Sequence, residues 1–201
     1  MIKTVISDIG NVLNGHDWDT FAKNVLGEEL YPVMAEVFLE SGYWEELDRG
    51  VLPLSEVVDL FVSVRPEYEK EIRYLQGHIG GSFFPRYYAI DWIKEIKAAG
   101  FQMLYLSNYY EGLMEANPEA LEFLPFMDGG IFSCDVKMIK PHLDIYEEIL
   151  KKYGLQAEEC LFIDDRQANV DAAKKVGMHT FLFEGYEKSH DAIMEYLKQH
   201  S

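Results

Sequence analysis

Five short apolar runs, each closed by polar residues, punctuate the chain. They cover Met1 to Ser7 (MIKTVIS), Leu104 to Ser107, Gly130 to Ser133, Cys160 to Ile163 and Thr180 to Phe183. Runs that are nearly continuous rather than alternating predict strands buried on both faces. Between them, apolar residues recur at helical spacing. Ala89, Trp92, Ile93 and Ile96 precede Gly100; Tyr146, Ile149, Leu150 and Tyr153 precede Gly154; Ala168 to Val176 precedes Gly177. Each of these glycines is a C-terminal stop signal. Ile193, Tyr196 and Leu197 mark the inward face of a last helix. Strands alternating with helices predict an α/β fold built on a doubly wound parallel sheet.

One gap breaks the alternation. Between Asp8 and the helix near Ala89 lie about eighty residues with no convincing strand, far beyond ordinary loop length. The pattern there predicts helices around Trp18 to Leu26, Pro32 to Glu40, Ser55 to Val64 and Glu67 to Gln76. Asn14-Gly15 is a turn signal and marks the exit from the sheet, with Gly80-Gly81-Ser82 as the return hinge. The expected organisation is a core of residues 1–14 and 85–201 carrying a helical insert at 15–84.

Composition narrows the partners. The chain has 201 residues, enough for one domain with a modest insert. Its 35 acidic residues outnumber 18 basic ones, for a net charge of -17. That balance repels nucleic acid and anionic membrane, so neither is expected as a partner. An anionic small molecule then needs a local cation, from a metal or a placed lysine. Cys134 and Cys160 form no CxxC, which argues against a disulfide scaffold or a cysteine zinc site. No run resembles a signal peptide or a membrane span, so the expected setting is cytoplasmic. The oligomeric state is left open.

Ligands of open α/β sheets bind beyond the carboxyl ends of the strands, where strand order reverses. Three sets of polar groups sit at such ends, Asp8, Ser107 with Asn108, and the pair Asp164-Asp165, and Lys140 follows the third run within a short loop. Each has a plain structural use when taken alone. An Asp after a strand is commonly a turn residue, Ser107 and Asn108 can end a strand and cap a helix, and Lys140 can be a solvated loop cation. Asp164-Asp165 is harder to dismiss, because adjacent carboxylates at a buried strand end repel each other unless a cation is present.

Together and in this order, these residues resemble the motifs of the haloacid dehalogenase-like (HAD) hydrolase superfamily. The matching segments are Asp8-Ile9-Gly10-Asn11-Val12-Leu13, Leu106-Ser107-Asn108, Lys140-Pro141-His142 and Phe162-Ile163-Asp164-Asp165, with Asn169 downstream. The resemblance implies a Rossmann-like core and a helical cap where the insert lies. It implies Asp8 as a nucleophile on phosphorus, forming an aspartyl-phosphate, with Lys140 as the second catalytic residue. It implies Mg2+ held by Asp8, the Gly10 carbonyl, Asp164 and Asp165, with Asp164 close by or behind water. Ser107 and Asn108 would bind the phosphate of a small phosphorylated metabolite. Arg49, in Leu47-Asp48-Arg49-Gly50, either reaches a substrate oxygen from the cap or complements a helix C-terminus stopped by Gly50.

One departure matters. Phosphatases of this superfamily mostly carry a second Asp two residues after the nucleophile, as general acid and base; here that residue is Gly10. A positioned acid is worth about 10²–10⁴-fold in rate. The D-x-G-N-V form resembles a branch that includes sugar-1-phosphate phosphatases, whose anomeric leaving group needs less protonation. His16 and Asp17 follow closely, but Asp17 is placed to N-cap the helix starting near Trp18. The alternatives are a dehalogenase-type hydrolase using the same Asp, and a weakly active or non-catalytic phosphometabolite binder. A signalling receiver domain is excluded by motif order.

Overall fold

The computed structural model describes residues 1–200. Five parallel strands form the central sheet: β1 (Thr4–Ser7), β4 (Gln102–Ser107), β5 (Gly129–Phe132), β6 (Cys160–Asp164) and β7 (His179–Leu182), in the order β5-β4-β1-β6-β7. Two short strands, β2 (Asn14–His16) and β3 (Phe83–Pro85), pair antiparallel beside it. Every residue of β1 and β6 is buried, as the continuous apolar runs require when helices cover both faces.

Alternate residues feed two layers. Val5, Met103, Leu161 and Ile163 point to one face, where they meet Trp92, Ile93 and Ile96 of helix Ala89–Ala98 and Ile193 and Leu197 of helix Tyr186–His200. Ile6, Leu104, Leu106 and Phe162 point to the other, against Ile145, Tyr146 and Ile149 of helix Leu143–Tyr153 and Ala172 and Ala173 of helix Gln167–Val176. Gly154 and Gly177 end these last two helices in the left-handed conformation expected of a glycine stop. The doubly wound α/β reading therefore stands, with strand limits displaced by up to three residues at the ends.

Between β2 and β3 the chain is helical, and its buried face (Trp18, Phe38, Leu47, Phe61, Leu75) is continuous with the first core layer. Two expectations are corrected here. The stretch between Asp8 and Ala89 does contain strands, β2 and β3. Asn14-Gly15 is not a turn but part of β2, opposite Pro85 and Phe84. The glycine serves close approach: a Cβ at Gly15 would lie 2.2 Å from the Phe84 ring. The helix expected from Pro32 to Glu40 is α-helical over Tyr31–Ala35 and widens to a π-helix over Glu36–Glu40.

Strand order reverses around β1: the chain steps from β1 to β4 and β5 on one side, then to β6 and β7 on the other. The carboxyl ends of β1, β4 and β6 are thereby neighbours, with Ser7 in register with Tyr105 and Ile163.

Candidate active site

Asp8 follows β1 directly, and its N–H donates to the Ile163 carbonyl at 2.8 Å. The β1 register thus continues one residue past the strand and sets Asp8 beside Asp164. Asp8 is 7% exposed. Its Oδ1 accepts from the Ile9 N–H at 2.7 Å and lies 2.8 Å from Lys140 Nζ. No hydrogen bond falls on Oδ2 among the described residues, so one oxygen is held and the other is free.

Lys140 is 3% exposed and bridges the two motif carboxylates, at 2.8 Å from Asp8 and 2.7 Å from Asp164 Oδ2. Burial opposes its charge, but Asp164 and Asp8 outweigh that and hold its pKa above the ordinary value. Asn108 positions it from below: the Lys140 N–H donates to Asn108 Oδ1 at 2.8 Å, and Asn108 Nδ2 donates to the Lys140 carbonyl at 3.0 Å. The Asn108 carboxamide is thereby committed to the lysine loop. Ser107, buried at the end of β4, lines the cavity above.

Asp164 is fully buried and its lone pairs are engaged. Oδ1 accepts from Arg166 N–H and Asn169 Nδ2, and Oδ2 from Lys140 Nζ and Asn169 Nδ2. Asp165 is half-buried, lines the cavity and accepts from Asn11 Nδ2 at 3.4 Å. Asn11 holds a positive φ of 58°, a conformation asparagine tolerates better than most residues.

One oxygen from each of Asp8, Asp164 and Asp165 lies within 4.8 Å of the others. Hard oxygen donors so gathered suit a divalent cation such as Mg2+. The electrostatics agree. Burial raises the Asp8 pKa to about 7, Lys140 opposes this, and Asp164 and Asp165 add to it. Burial and Asp164 raise Asp165 also. One lysine leaves this group short of positive charge, and a cation would relieve it.

The cavity over these groups has a volume of about 180 Å³. The insert and β3 contribute Trp44, Asp48, His16 and Phe83 to its lining. His16 stacks on Phe83 at 4.3 Å between ring centroids. Burial lowers its pKa against the pull of Asp17 and Asp19, which favours the uncharged ring. Asp17 caps helix Trp18–Leu26 through Thr20 N–H at 3.0 Å.

Arg49 is not brought to this cavity; its Nε lies 3.8 Å from Glu46. The preceding Asp48 is. Its burial pushes the carboxyl up to about 7; Lys140 opposes the shift, Asp8 adds to it and Arg166 opposes it. Sequence reasoning passed over Asp48. The signal was the spacing of Trp44, Leu47 and Asp48 within helix Trp44–Arg49: positions i, i+3 and i+4 share a face, while Arg49 lies about 100° further round.

Comparison with known proteins supplies the family. Residues 20–177 match the model of the haloacid dehalogenase-like hydrolases. The chain is 26% identical over 202 residues to enolase-phosphatase E1 of Erwinia tasmaniensis, covering 90% of this chain and 87% of that one. It is 34% identical over 100 residues to glyceraldehyde 3-phosphate phosphatase of Methanocaldococcus jannaschii, covering 48% and 42% of the two. A crystal structure of a HAD family enzyme from Bacteroides thetaiotaomicron, in complex with magnesium and inorganic phosphate, has the same fold. Its TM-score is 0.75 at 21% identity, covering 94% of this chain and 98% of that one. No helix among the described residues is long and apolar enough to cross a membrane. On the extent of the family match and the shared fold, the chain belongs to the haloacid dehalogenase-like hydrolases.

Proposed function

We propose that the protein is a Mg2+-dependent phosphatase of a small phosphorylated metabolite, working through an aspartyl-phosphate on Asp8. The observation that carries this reading is Asp8 itself: buried, held on Oδ1, and set among Lys140, Asp164 and Asp165 under one small cavity. The phosphatase activities named for the Erwinia and Methanocaldococcus relatives support it, and so does the magnesium and phosphate bound by the Bacteroides neighbour.

In this reading Asp8, Asp165 and the Gly10 carbonyl would hold the ion, and Asp164, whose oxygens already accept four hydrogen bonds, would add negative charge beside it. Mg2+, when bound, supplies Lewis-acid stabilisation of the phosphoryl oxygens. The free Oδ2 of Asp8 attacks phosphorus. Ser107 Oγ and the amides after it bind phosphate oxygens, while Lys140 balances the negative charge and keeps Oδ1 from the substrate. Residues 15–84 act as the cap and close the leaving-group side. A cavity of about 180 Å³ is below the ~300–1,000 Å³ of drug-sized ligand sites, which favours a small ester; the finer proposal is a sugar 1-phosphate. A dehalogenase-type reaction on carbon has no use for the acidic cluster. The setting we propose is the cytoplasm.

The test is phosphate release from a panel of sugar phosphates with Mg2+ or with EDTA. Release that requires Mg2+ and is lost by at least about 10³-fold in Asp8→Asn is expected. Full activity of Asp8→Asn, with unchanged melting, removes Asp8 from its role. Phosphate esters that raise the melting temperature without turning over would favour a binder instead.

A further inference from the structure

We propose that Asp48, carried by the insert, is the general acid that protonates the leaving oxygen, in place of the carboxylate missing at Gly10. This rests on the phosphatase reading and deepens it. Three carboxylates line the cavity, Asp8, Asp48 and Asp165. Asp8 and Asp165 belong to the acidic cluster on the sheet side. Asp48 lies outside that cluster and is supplied by the insert, with Lys140 and Asp8 as its strongest charged neighbours, which places it beside the phosphorus that Asp8 would attack.

Its geometry fits the task. Asp48 is 9% exposed, yet its carboxylate takes no hydrogen bond among the described residues, so its proton is uncommitted. Its oxygens are not sealed off, so the carboxyl faces the cavity it lines. Its backbone, by contrast, is anchored to the core. Ser133 Oγ donates to the Asp48 carbonyl and itself accepts the Tyr109 N–H at 2.9 Å. Lys137 Nζ donates to the Gly50 carbonyl two residues on, at 2.6 Å. The insert therefore presents this carboxyl from a seat on the ends of β4 and β5. Burial also favours its neutral, proton-bearing form, the form an acid needs at the start of a turnover.

The other titratable groups of the insert side and of β4 are less suited. Burial favours the uncharged form of the His16 ring and drives the Tyr109 hydroxyl well above the ordinary phenol range. Space at Gly10 is open, since a Cβ there meets nothing within 4 Å. The missing acid has been replaced from another element, not displaced by packing.

The step balances as follows. Asp8 Oδ2 forms the bond to phosphorus, the bond from phosphorus to the leaving oxygen breaks, and that oxygen takes its electron pair and the Asp48 proton to leave as an alcohol. Water then attacks the phosphorus of the aspartyl-phosphate. Asp48 carboxylate takes the water's proton, Asp8 leaves as a carboxylate, and inorganic phosphate is released. With this acid in place the substrate needs no activated leaving group, so ordinary sugar alcohol phosphates come within range.

The experiment compares the best alkyl phosphate of the sugar panel with p-nitrophenyl phosphate, whose leaving group needs no protonation. Asp48→Asn, close in shape and able to keep the Ser133 bond, should lose about 10²-fold or more in kcat on the alkyl ester and less than about tenfold on the aryl ester. Gly10→Asp added to Asp48→Asn should recover at least about tenfold on the alkyl ester, which a structural role for Asp48 would not produce. Equal losses on both esters, or a leaving-group-dependent loss in His16→Gln instead, overturn the proposal. So does wild-type protein that cleaves the aryl ester but no alkyl ester, while leaving the phosphatase reading intact. Wild-type protein that cleaves neither overturns both.

Discussion

Replacing Lys140 by methionine removes one buried charge while nearly conserving volume. The ammonium is 3% exposed and lies 2.8 and 2.7 Å from Asp8 and Asp164. Removing one partner of a buried ion pair costs about 3–5 kcal/mol, because the remaining charge is left uncompensated. With a urea slope of about 2 kcal/mol/M, that lowers the unfolding midpoint by roughly 1.5–2.5 M. The loss depends on pH. The folded pKa of Asp8 stands at about 7 against a reference of 3.8, with Lys140 already pulling it down; without Lys140 it rises further. A carboxyl whose folded pKa is raised binds more protons folded than unfolded, so its contribution to stability falls as pH rises from about 4 through the folded value. Lys140→Met should therefore be much less stable than wild type at pH 8 and closer to it at pH 5, both in EDTA. Mg2+ at pH 8 should restore more stability to the variant than it adds to wild type, since ion and lysine answer the same carboxylates. Urea unfolding followed by circular dichroism measures all of this. A midpoint shift that is the same at both pH values, or smaller than about 0.3 M at pH 8, would refute the claim that these carboxylates are ionised against Lys140.

Two further outcomes follow from the same geometry. Mg2+ binding has to displace the Asp8 proton, so affinity measured by calorimetry should rise about tenfold per pH unit below about 7 and level off above it; a flat profile would mean that the ion binds elsewhere. Asn108→Ala deletes both hydrogen bonds to the Lys140 backbone, and should cost about 1–3 kcal/mol in a thermal or urea melt and lower kcat more than it raises KM. A large KM effect with unchanged kcat would make Asn108 a substrate contact instead of the support of Lys140.

The parts of this site that were legible in the sequence are those whose placement is local. Asp8, Ser107 and Asp164 each sit at or one residue past the end of an apolar run, and a parallel sheet with a reversal at β1 brings such ends together whatever the helices do. Strand β2 was not legible because three residues offer no periodicity, and because Asn14-Gly15 carries a turn signal that here answers the Phe84 ring. The sequence shows that Asn108 and Asp164 stand at strand ends but not that their side chains engage Lys140, Asn169 and the Arg166 N–H. Motif residues advertise their type, but the order of donors around them is set only in three dimensions.

Asp48 lies at the far end of that scale. Its place depends on Ser133, 85 residues away in sequence, and on a helix of six residues whose cavity-facing positions are one step from a more conspicuous arginine. That distance has a chemical consequence. A carboxylate two residues after Asp8 would move with β1 and be present in every state of the protein. If Asp48 is the acid, its carboxyl depends for its place on the contacts of the Asp48 carbonyl with Ser133 and of Gly50 with Lys137. Protonation of the leaving oxygen is then coupled to the seating of the insert, and a substrate too large to let that seat form would forfeit the acid as well as the fit. Discrimination by size and discrimination by rate become the same event, which a general acid at position 10 could not achieve.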